Sequence, residues 1–417
     1  MNRLIFHIDV NSAFLSWTAA YRVKVLGESL DLREIPSAVC GDTEARHGII
    51  LAKSGPAKSF GIKTGEPLFQ ARQKCPELVV VAPDYSLYVE ASRQFINMLK
   101  EMAPVVEQYS IDEAWADLTG TEKLYGQPLF AAEKIRNRIR DELGFTVNIG
   151  ISNNKLLAKV AGDFQKPDKA HTLFPHEIET KLWPLPVRDL FYIGPATEEK
   201  LHLMGIFTIG QLAAADPKLL CQRLHKQGEL IWNFANGRCD DAVTEDAVLN
   251  KGYGNSVTTP QDLRDSALAH KIILSLSETV SMRMRKDTQS GACLSVSIRT
   301  YDFRNFSHQG QLPQPTDATS EIYRHARRIF DELWDQKTPL RQLGVYMSQV
   351  RQNAPRQLCL FDSINYDKLS QTDTAVDRIR EKFGENAIIR ACFLIPDVAP
   401  LTGGLSKDRR TGVTKPV

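Results

Sequence analysis

Three carboxylates make the first chemical suggestion. Asp9 ends an apolar run, Leu4 to Ile8, and much further along Asp112 and Glu113 stand side by side in the segment YSIDEAWAD. Carboxylates gathered in one place repel one another unless a cation neutralises them. Donor sets made only of oxygen suit Mg²⁺, which fills its remaining positions with phosphate and water oxygens. Two such ions about 3.5–4 Å apart support in-line displacement at phosphorus. The phosphate side of such a site has its own candidates. Between Asp9 and Phe14 the chain turns from strand to helix, and the free N–H groups of a first helical turn, with the helix dipole, form a phosphate cradle. Lys58 in AKSGPAKSFGIKTG and Lys155 in GISNNKLLAK lie in turn-rich surroundings. If all of these converge, they make a nucleoside-triphosphate site. Taken one at a time, each has a plain structural explanation: a strand-end cap, an exposed turn, a solvated lysine.

The elements that must position these groups alternate between strand and helix up to about residue 165. RLIFHIDV reads as a strand, and Asn11 and Ser12 are good N-caps for a helix carrying Phe14, Trp17 and Tyr21 at helical spacing. IPSAVC, GIILAKS and ELVVVAP read as strands, and YVEASRQFINMLKEM as a helix. VVEQYSIDEAWADL and FTVNIGIS are further strands, separated by the helix AAEKIRNRIRDEL. Strand–helix–strand–strand–helix–strand order predicts a ferredoxin-like α+β layer with helices on one side of the sheet. Its first and third strands lie side by side, which brings Asp9 close to Asp112. Neighbours in a regular strand point to opposite faces. Asp112 and Glu113 therefore share a site only if their strand bends or begins there, and Tyr109 and Ser110 allow that.

A helical stretch follows from about 168 to 240. From about 246 to 351 strands alternate with helices again, and the tail beyond 352 holds one helical piece, DTAVDRIREKF. The 417 residues suggest roughly two to four domains. A hydrophobic content of 42% with 24% charged residues describes a soluble globular chain. The net charge of +2 means that any basic surface is local. Seven cysteines without a CxxC pair argue against a zinc ribbon or a disulfide framework and for reduced thiols. Neither a signal pattern nor an apolar run of roughly 20 residues is present. The expectation is a cytoplasmic protein with no membrane partner.

DVNSAF, then SIDEA, then GISNNKLLAK resembles the Y-family (translesion) DNA polymerases, the group that includes polymerases IV and V, in order over residues 1 to 361. The resemblance implies an α+β multidomain right hand. Its ferredoxin-like palm would be 1–18 and 78–166, its small fingers 19–77, its helical thumb 167–240, its α/β little finger 246–351 and its tail 352–417. Asp9, Asp112 and the main-chain carbonyl of Val10 would be metal ligands. Glu113 would be the acidic catalytic residue that helps to bind the metal activating the primer 3′-hydroxyl. Two Mg²⁺ ions are implied, with Mn²⁺ as the alternative. Lys155 would contact the triphosphate. Phe14, beside Ala13 in the substrate-binding turn, falls at the steric gate that packs against C2′ of the sugar and excludes ribose. One departure stands out. Where the family carries Tyr-x-x-Arg, this chain has Gly55-Pro56-Ala57-Lys58, so Lys58 brings a point charge without a bidentate fork.

The turns at Gly194 and Gly205 resemble helix–hairpin–helix elements that approach DNA phosphates. Lys251, Arg299, Arg304 and Arg341 lie on or beside predicted strands where they could meet phosphates. QLCLFD resembles the linear motif that docks on the replicative sliding clamp, through Gln357, Leu358, Leu360 and Phe361. The tail beyond it is a layout closer to polymerase V's catalytic subunit. The implied function is template-directed, low-fidelity DNA synthesis on primer–template DNA with dNTPs, recruited by the clamp and compatible with accessory mutagenesis subunits. No segment reads as a 3′–5′ exonuclease. A catalytically weak DNA- and clamp-binding accessory protein is the first rival, but such proteins lack the carboxylates. A nucleotide cyclase is the second, and it needs neither a DNA grip nor a clamp motif.

Overall fold

A computed structural model of the chain describes residues 3–42, 48–245, 250–352 and 366–394. These residues form two compact units, 3–41 with 49–245, and 250–352 with 366–394.

In the first unit β1 (Ile5–Val10) is buried along its whole length and leads into α1 (Ala13–Lys24). β2 (Ser37–Cys40), β3 (Ile50–Lys53), the short helices α2 (Gly55–Ser59) and α3 (Leu68–Lys74), and β4 (Val79–Val81) build a small side sheet with its own core. α4 (Tyr85–Met102) returns the chain to the main sheet through the hairpin of β5 (Val105–Gln108) and β6 (Glu113–Asp117). After α5 (Glu122–Tyr125) and α6 (Pro128–Arg138) come β7 (Val147–Ser152), α7 (Lys155–Asp163) and β8 (Ala170–Thr172). The main sheet has the order β5-β6-β1-β7-β8, with β1 antiparallel to both of its neighbours. β1, β5, β6 and β7 thus form the ferredoxin-like arrangement, and β8 adds a parallel edge strand.

Alternation along β1 divides two environments. Phe6, Ile8 and Val10 pack with Tyr88, Phe95 and Leu99 of α4 and with Ala132 and Ile135 of α6. Ile5 faces the other way, onto Trp115 of β6 and Ala158 of α7. Helices therefore cover both faces, not one, because α7 folds back across β7 and β1. Gly150 permits this close approach. A Cβ there would meet the Ala158 carbonyl oxygen at 1.9 Å and the Gly162 nitrogen at 2.3 Å. Gly150→Ala should cost about 3 kcal/mol, as overpacking against rigid backbone does. Urea denaturation of the two proteins checks this, and an unchanged midpoint would refute the packing argument.

α8 (Pro195–Leu203), α9 (Ile209–Ala214), α10 (Pro217–Leu224) and α11 (Lys226–Ala235) complete the first unit. Leu201, Ile209, Leu212, Leu220 and Ile231 share one core with Leu157 and Val160 of α7. That common core makes the bundle part of the same compact unit as the sheet.

The second unit is a four-stranded antiparallel sheet with two helices packed on it. β9 (Gly252–Leu263), α12 (Ser266–Lys286), β10 (Gln289–Thr300), β11 (Asn305–Thr316), α13 (Thr319–Leu333) and β12 (Leu340–Gln352) follow in sequence, with strand order β11-β10-β12-β9. Val296, Ile298, Leu343 and Val345 meet Ile273, Leu276, Ile322 and Phe330 in its core. The helical piece of the tail, α14 (Tyr366–Phe383), docks on α12 through charges. Arg285 pairs with Asp377 at 2.6 Å and Asp373 at 3.3 Å, and Glu278 accepts from Arg390 at 2.6 Å and Arg380 at 3.4 Å. Among the described residues no helix is long and apolar enough to cross a membrane.

Candidate active site

Two of the carboxylates meet at one end of the main sheet, with Asp112 in the adjoining turn. Register places Asp9 of β1 directly opposite Glu113, the first residue of β6, so both side chains leave the same face. Asp112 sits in the turn just before the strand. Its carbonyl accepts the Val10 N–H at 3.0 Å, and Ser110 Oγ donates to its carboxylate at 2.6 Å. The N–H groups of Tyr109 and Ser110 both donate to the Glu113 carbonyl, at 3.0 and 3.2 Å, which closes that turn. β6 begins at Glu113, so Asp112 lies before the strand and is not bound by its alternation.

Basic groups that the sequence reading did not single out attend these carboxylates. Lys166 Nζ donates to Asp9 and also lies 2.9 Å from Asp163. Lys159 Nζ donates to Glu113 Oε2 at 2.6 Å and lies over the rings of Tyr109 and Phe191 at 5.2 and 5.3 Å. His7, buried two residues before Asp9 on the same strand face, holds Nε2 3.6 Å from Glu113 Oε2. A period-2 reading of β1 could have found His7, and Lys159 stands one helical turn beyond Lys155 in the quoted motif. Nothing local pointed to Lys166.

Burial pushes the Asp9 carboxyl above its ordinary range, by more than Lys166 pulls it down. Burial lowers the His7 pKa, so the ring is neutral at pH 7. For Lys166, burial is outweighed by Asp9 and Asp163, and its pKa rises. For Glu113, burial alone would raise the pKa, but His7 and Lys159 prevail and hold it at about 2. Among the described residues no three His, Cys, Asp or Glu side chains converge on one preassembled metal position. The donors here are all oxygens, and Asp9 and Glu113 face each other across the strand pair, so a divalent cation fits them.

The Glu113 shift has a testable sign. A carboxyl whose folded pKa is depressed contributes stability in full above its unfolded value, here near 4.5, and loses it as pH falls toward 2. Wild type should lose about 2 kcal/mol more than Glu113→Gln between pH 6 and pH 3. Urea titrations at the two pH values check this, and parallel pH profiles would contradict it.

Ala13 opens α1 and is buried, whereas Ser12 before it takes a left-handed backbone (φ 48°) and makes no side-chain cap bond. Asn11 gives its amide to Thr146 Oγ1 at 3.1 Å. The expected side-chain N-cap is therefore not formed, and first-turn N–H groups remain without intrahelical acceptors. Half-buried Phe14 stacks on Tyr88 at 4.4 Å, and the Tyr88 hydroxyl lies 3.0 Å from Thr18 Oγ1. The Val10 side chain is spent in the core, which leaves its main chain to serve the site.

Other expected site residues fall elsewhere. Lys155 begins α7, but its Nζ pairs with both oxygens of Glu107, at 2.6 and 2.8 Å. Glu107 is opposite Trp115, which is opposite His7, one row along the face from the Asp9–Glu113 pair. Lys58 stands exposed on α2, near enough to Lys53 to lower that lysine's pKa after burial has done so. Gly194 is the N-cap of α8, and Gly205 has φ +76° with its N–H bound to the His202 carbonyl at 2.9 Å. In the second unit Arg299 donates to Asn305 at 2.7 Å, Arg304 pairs with Asp302 at 2.7 Å, Arg341 lies 4.8 Å over Phe303, and Lys251 is exposed. Gln357, Leu358, Leu360 and Phe361 lie outside the described residues.

Known proteins match this arrangement. The impB/mucB/samB family matches residues 8–163, its C-terminal domain matches 250–360, and the HHH motif of the IMS family matches 175–206, the span of Gly194 and Gly205. DNA polymerase IV of Clostridium acetobutylicum is 43% identical over 94% of this chain and 99% of its own length. DNA polymerase IV of Acetivibrio thermocellus is 37% identical over 94% and 98%, and DNA polymerase IV 2 of Bacillus subtilis is 38% identical over 94% and 95%. A solved Y-family DNA polymerase chimera, Dbh-Dpo4(243-245)-Dbh, shares the fold with a TM-score of 0.71 at 22% identity, covering 84% of this chain and 100% of its own. The chain belongs to the impB/mucB/samB family, the Y-family DNA polymerases, and is a DNA-directed DNA polymerase of the translesion class. The relatives that it resembles over nearly its whole length carry the name DNA polymerase IV, so a long tail does not set it beside polymerase V.

Proposed function

We propose that this polymerase extends a primer 3′ end on a DNA template with deoxynucleoside triphosphates, at low fidelity, in the cytoplasm. Two Mg²⁺ ions would be held by Asp9, Asp112, Glu113 and the Val10 carbonyl. One observation carries this reading: Asp9 and Glu113 face each other across β1 and β6, with Asp112 in the adjoining turn. Such ions supply Lewis-acid charge to an attacking hydroxyl and a leaving pyrophosphate, and Mn²⁺ accepts the same oxygen donors.

The chain's own groups divide the remaining work. First-turn N–H groups of α1 and the Lys166 ammonium bind phosphate oxygens, with Lys58 adding charge from the side sheet. Lys166 takes the role first expected of Lys155 because its ammonium already reaches Asp9. Phe14, braced on Tyr88 beside Ala13, meets C2′ of the incoming sugar. Lys159 and His7 keep Glu113 ionised and oriented. Gly194 and Gly205 approach duplex phosphates, as do Lys251, Arg299, Arg304 and Arg341 from the second unit. Gln357, Leu358, Leu360 and Phe361 dock on the sliding clamp, and accessory mutagenesis subunits are further partners.

The test is extension of a labelled primer on a longer template with dNTPs and Mg²⁺. Extension is expected without the clamp, with longer products when the clamp is added and no such gain after deletion of residues 357–361. No extension with either Mg²⁺ or Mn²⁺ would sink the reading.

A further inference from the structure

We propose that Lys155 and Glu107 are positioning residues that latch the segment leaving the helical bundle, Gly237 to Thr244, onto the main sheet. The Lys155–Glu107 pair is largely withdrawn from solvent, with side chains 13% and 21% exposed. An ammonium has three N–H donors and no acceptor. Lys155 directs them at the two Glu107 oxygens and at the Ala242 carbonyl, 3.4 Å away, which leaves none for a phosphate. Glu107 Oε2 also accepts the Thr244 N–H at 2.9 Å. Between these two anchored residues Val243 drops into the cluster of Ile5, Trp115 and Ala158. Trp115 closes the arrangement, with its ring 4.6 Å from Lys155 Nζ and its Nε1 donating to the Lys155 carbonyl at 3.1 Å. The upstream end is held by the neighbouring residue, Asn154, whose Nδ2 donates to the Gly237 carbonyl at 3.0 Å.

Asn154 and Lys155, adjacent in the GISNNKLLAK motif, therefore pin both ends of one outgoing segment. From Glu245 the chain goes on to the second unit, so the latch fixes the point at which the chain leaves the first unit. The functional consequence rests on the polymerase reading. If the second unit grips DNA, a longer tether lowers its effective concentration at the duplex and weakens binding without touching the nucleotide site.

The test compares Lys155→Met, Glu107→Gln and Thr244→Pro, the last of which removes the N–H that Glu107 accepts. Hydrogen exchange on the full chain should accelerate on the order of tenfold or more at Val243 in all three, and at Thr244 in the two variants that keep its amide. Primer–template Kd should rise on the order of tenfold, while KM for dNTP stays within about twofold. Lys155→Met with Glu107→Gln should do no more than either alone, because one latch breaks only once. Lys166→Ala serves as the contrast, raising KM for dNTP without changing exchange. A rise in KM for dNTP in Lys155→Met with unchanged exchange would return Lys155 to the phosphate and overturn the latch. Faster exchange with unchanged DNA affinity would overturn its positioning role. Failure of the wild type to extend a primer is a different result, since it removes the polymerase reading and leaves the exchange comparison standing.

Discussion

Asp112→Ala should reduce single-turnover primer extension by at least about 10³-fold, because loss of several kcal/mol of metal-borne charge stabilisation converts to tenfold for each ~1.4 kcal/mol. The same substitution should leave the fold nearly intact. Within the fold Asp112 works through its main chain, whose carbonyl accepts the Val10 N–H, and among the described residues its carboxylate takes a hydrogen bond from Ser110. Truncating the side chain keeps the strand pairing and frees one hydroxyl, a change worth about 1 kcal/mol or less. Rapid-quench kinetics beside a thermal melt separate the two effects. Equal losses of activity and of stability would show Asp112 to be a structural residue.

Phe14→Ala should lower discrimination against ribonucleotides by about 10²-fold, the scale on which shape at a sugar pocket selects. The ring is held parallel to Tyr88 at 4.4 Å, and Tyr88 is itself tied to Thr18, so its position does not depend on the substrate. Removing it opens space beside the start of α1 and forfeits a half-buried aromatic stack, which should cost about 2 kcal/mol of stability. The ratio of kcat/KM for a dNTP and its matching NTP is the readout. Phe14→Leu should fall between wild type and Ala, since it keeps bulk without the ring. An unchanged ratio in Phe14→Ala would remove the gate from Phe14.

The parts of the site legible in the sequence were those that depend on strand period and strand order. Asp9 and Glu113 face each other because an antiparallel pair fixes register across its length, and the ferredoxin-like order alone puts the first and third strands together. Tyr109 and Ser110 allowed a bend or a strand start at this point, and β6 starts at Glu113 with Asp112 before it. The lysines were harder to read. Where α7 lies on the sheet depends on Gly150 and Gly162, a contact between distant backbones that no local pattern encodes. That contact carries Lys159 to Glu113 and leaves Lys155 beside Glu107. Lys166 reaches Asp9 from the loop after α7, where long flexible stems meet whichever charge the tertiary fold presents. α14 was only partly visible for a related reason. It is held to α12 by Arg285, Glu278 and their partners, and an ion-paired interface leaves little hydrophobic period to detect. The helical bundle reads from its pattern as a unit of its own, and Leu157 and Val160 give it a core in common with α7.

Metal binding by the three carboxylates is the central claim, and counting ions tests it most directly. Full-length protein in complex with a dideoxy-terminated primer–template and the next dNTP can be titrated with Mn²⁺, and bound ions counted by paramagnetic resonance. Wild type is predicted to hold two ions, the number that in-line transfer at phosphorus employs. Asp112→Ala, at matched folding and DNA affinity, is predicted to hold fewer at the same free Mn²⁺. Two ions bound equally well by both proteins would contradict the account.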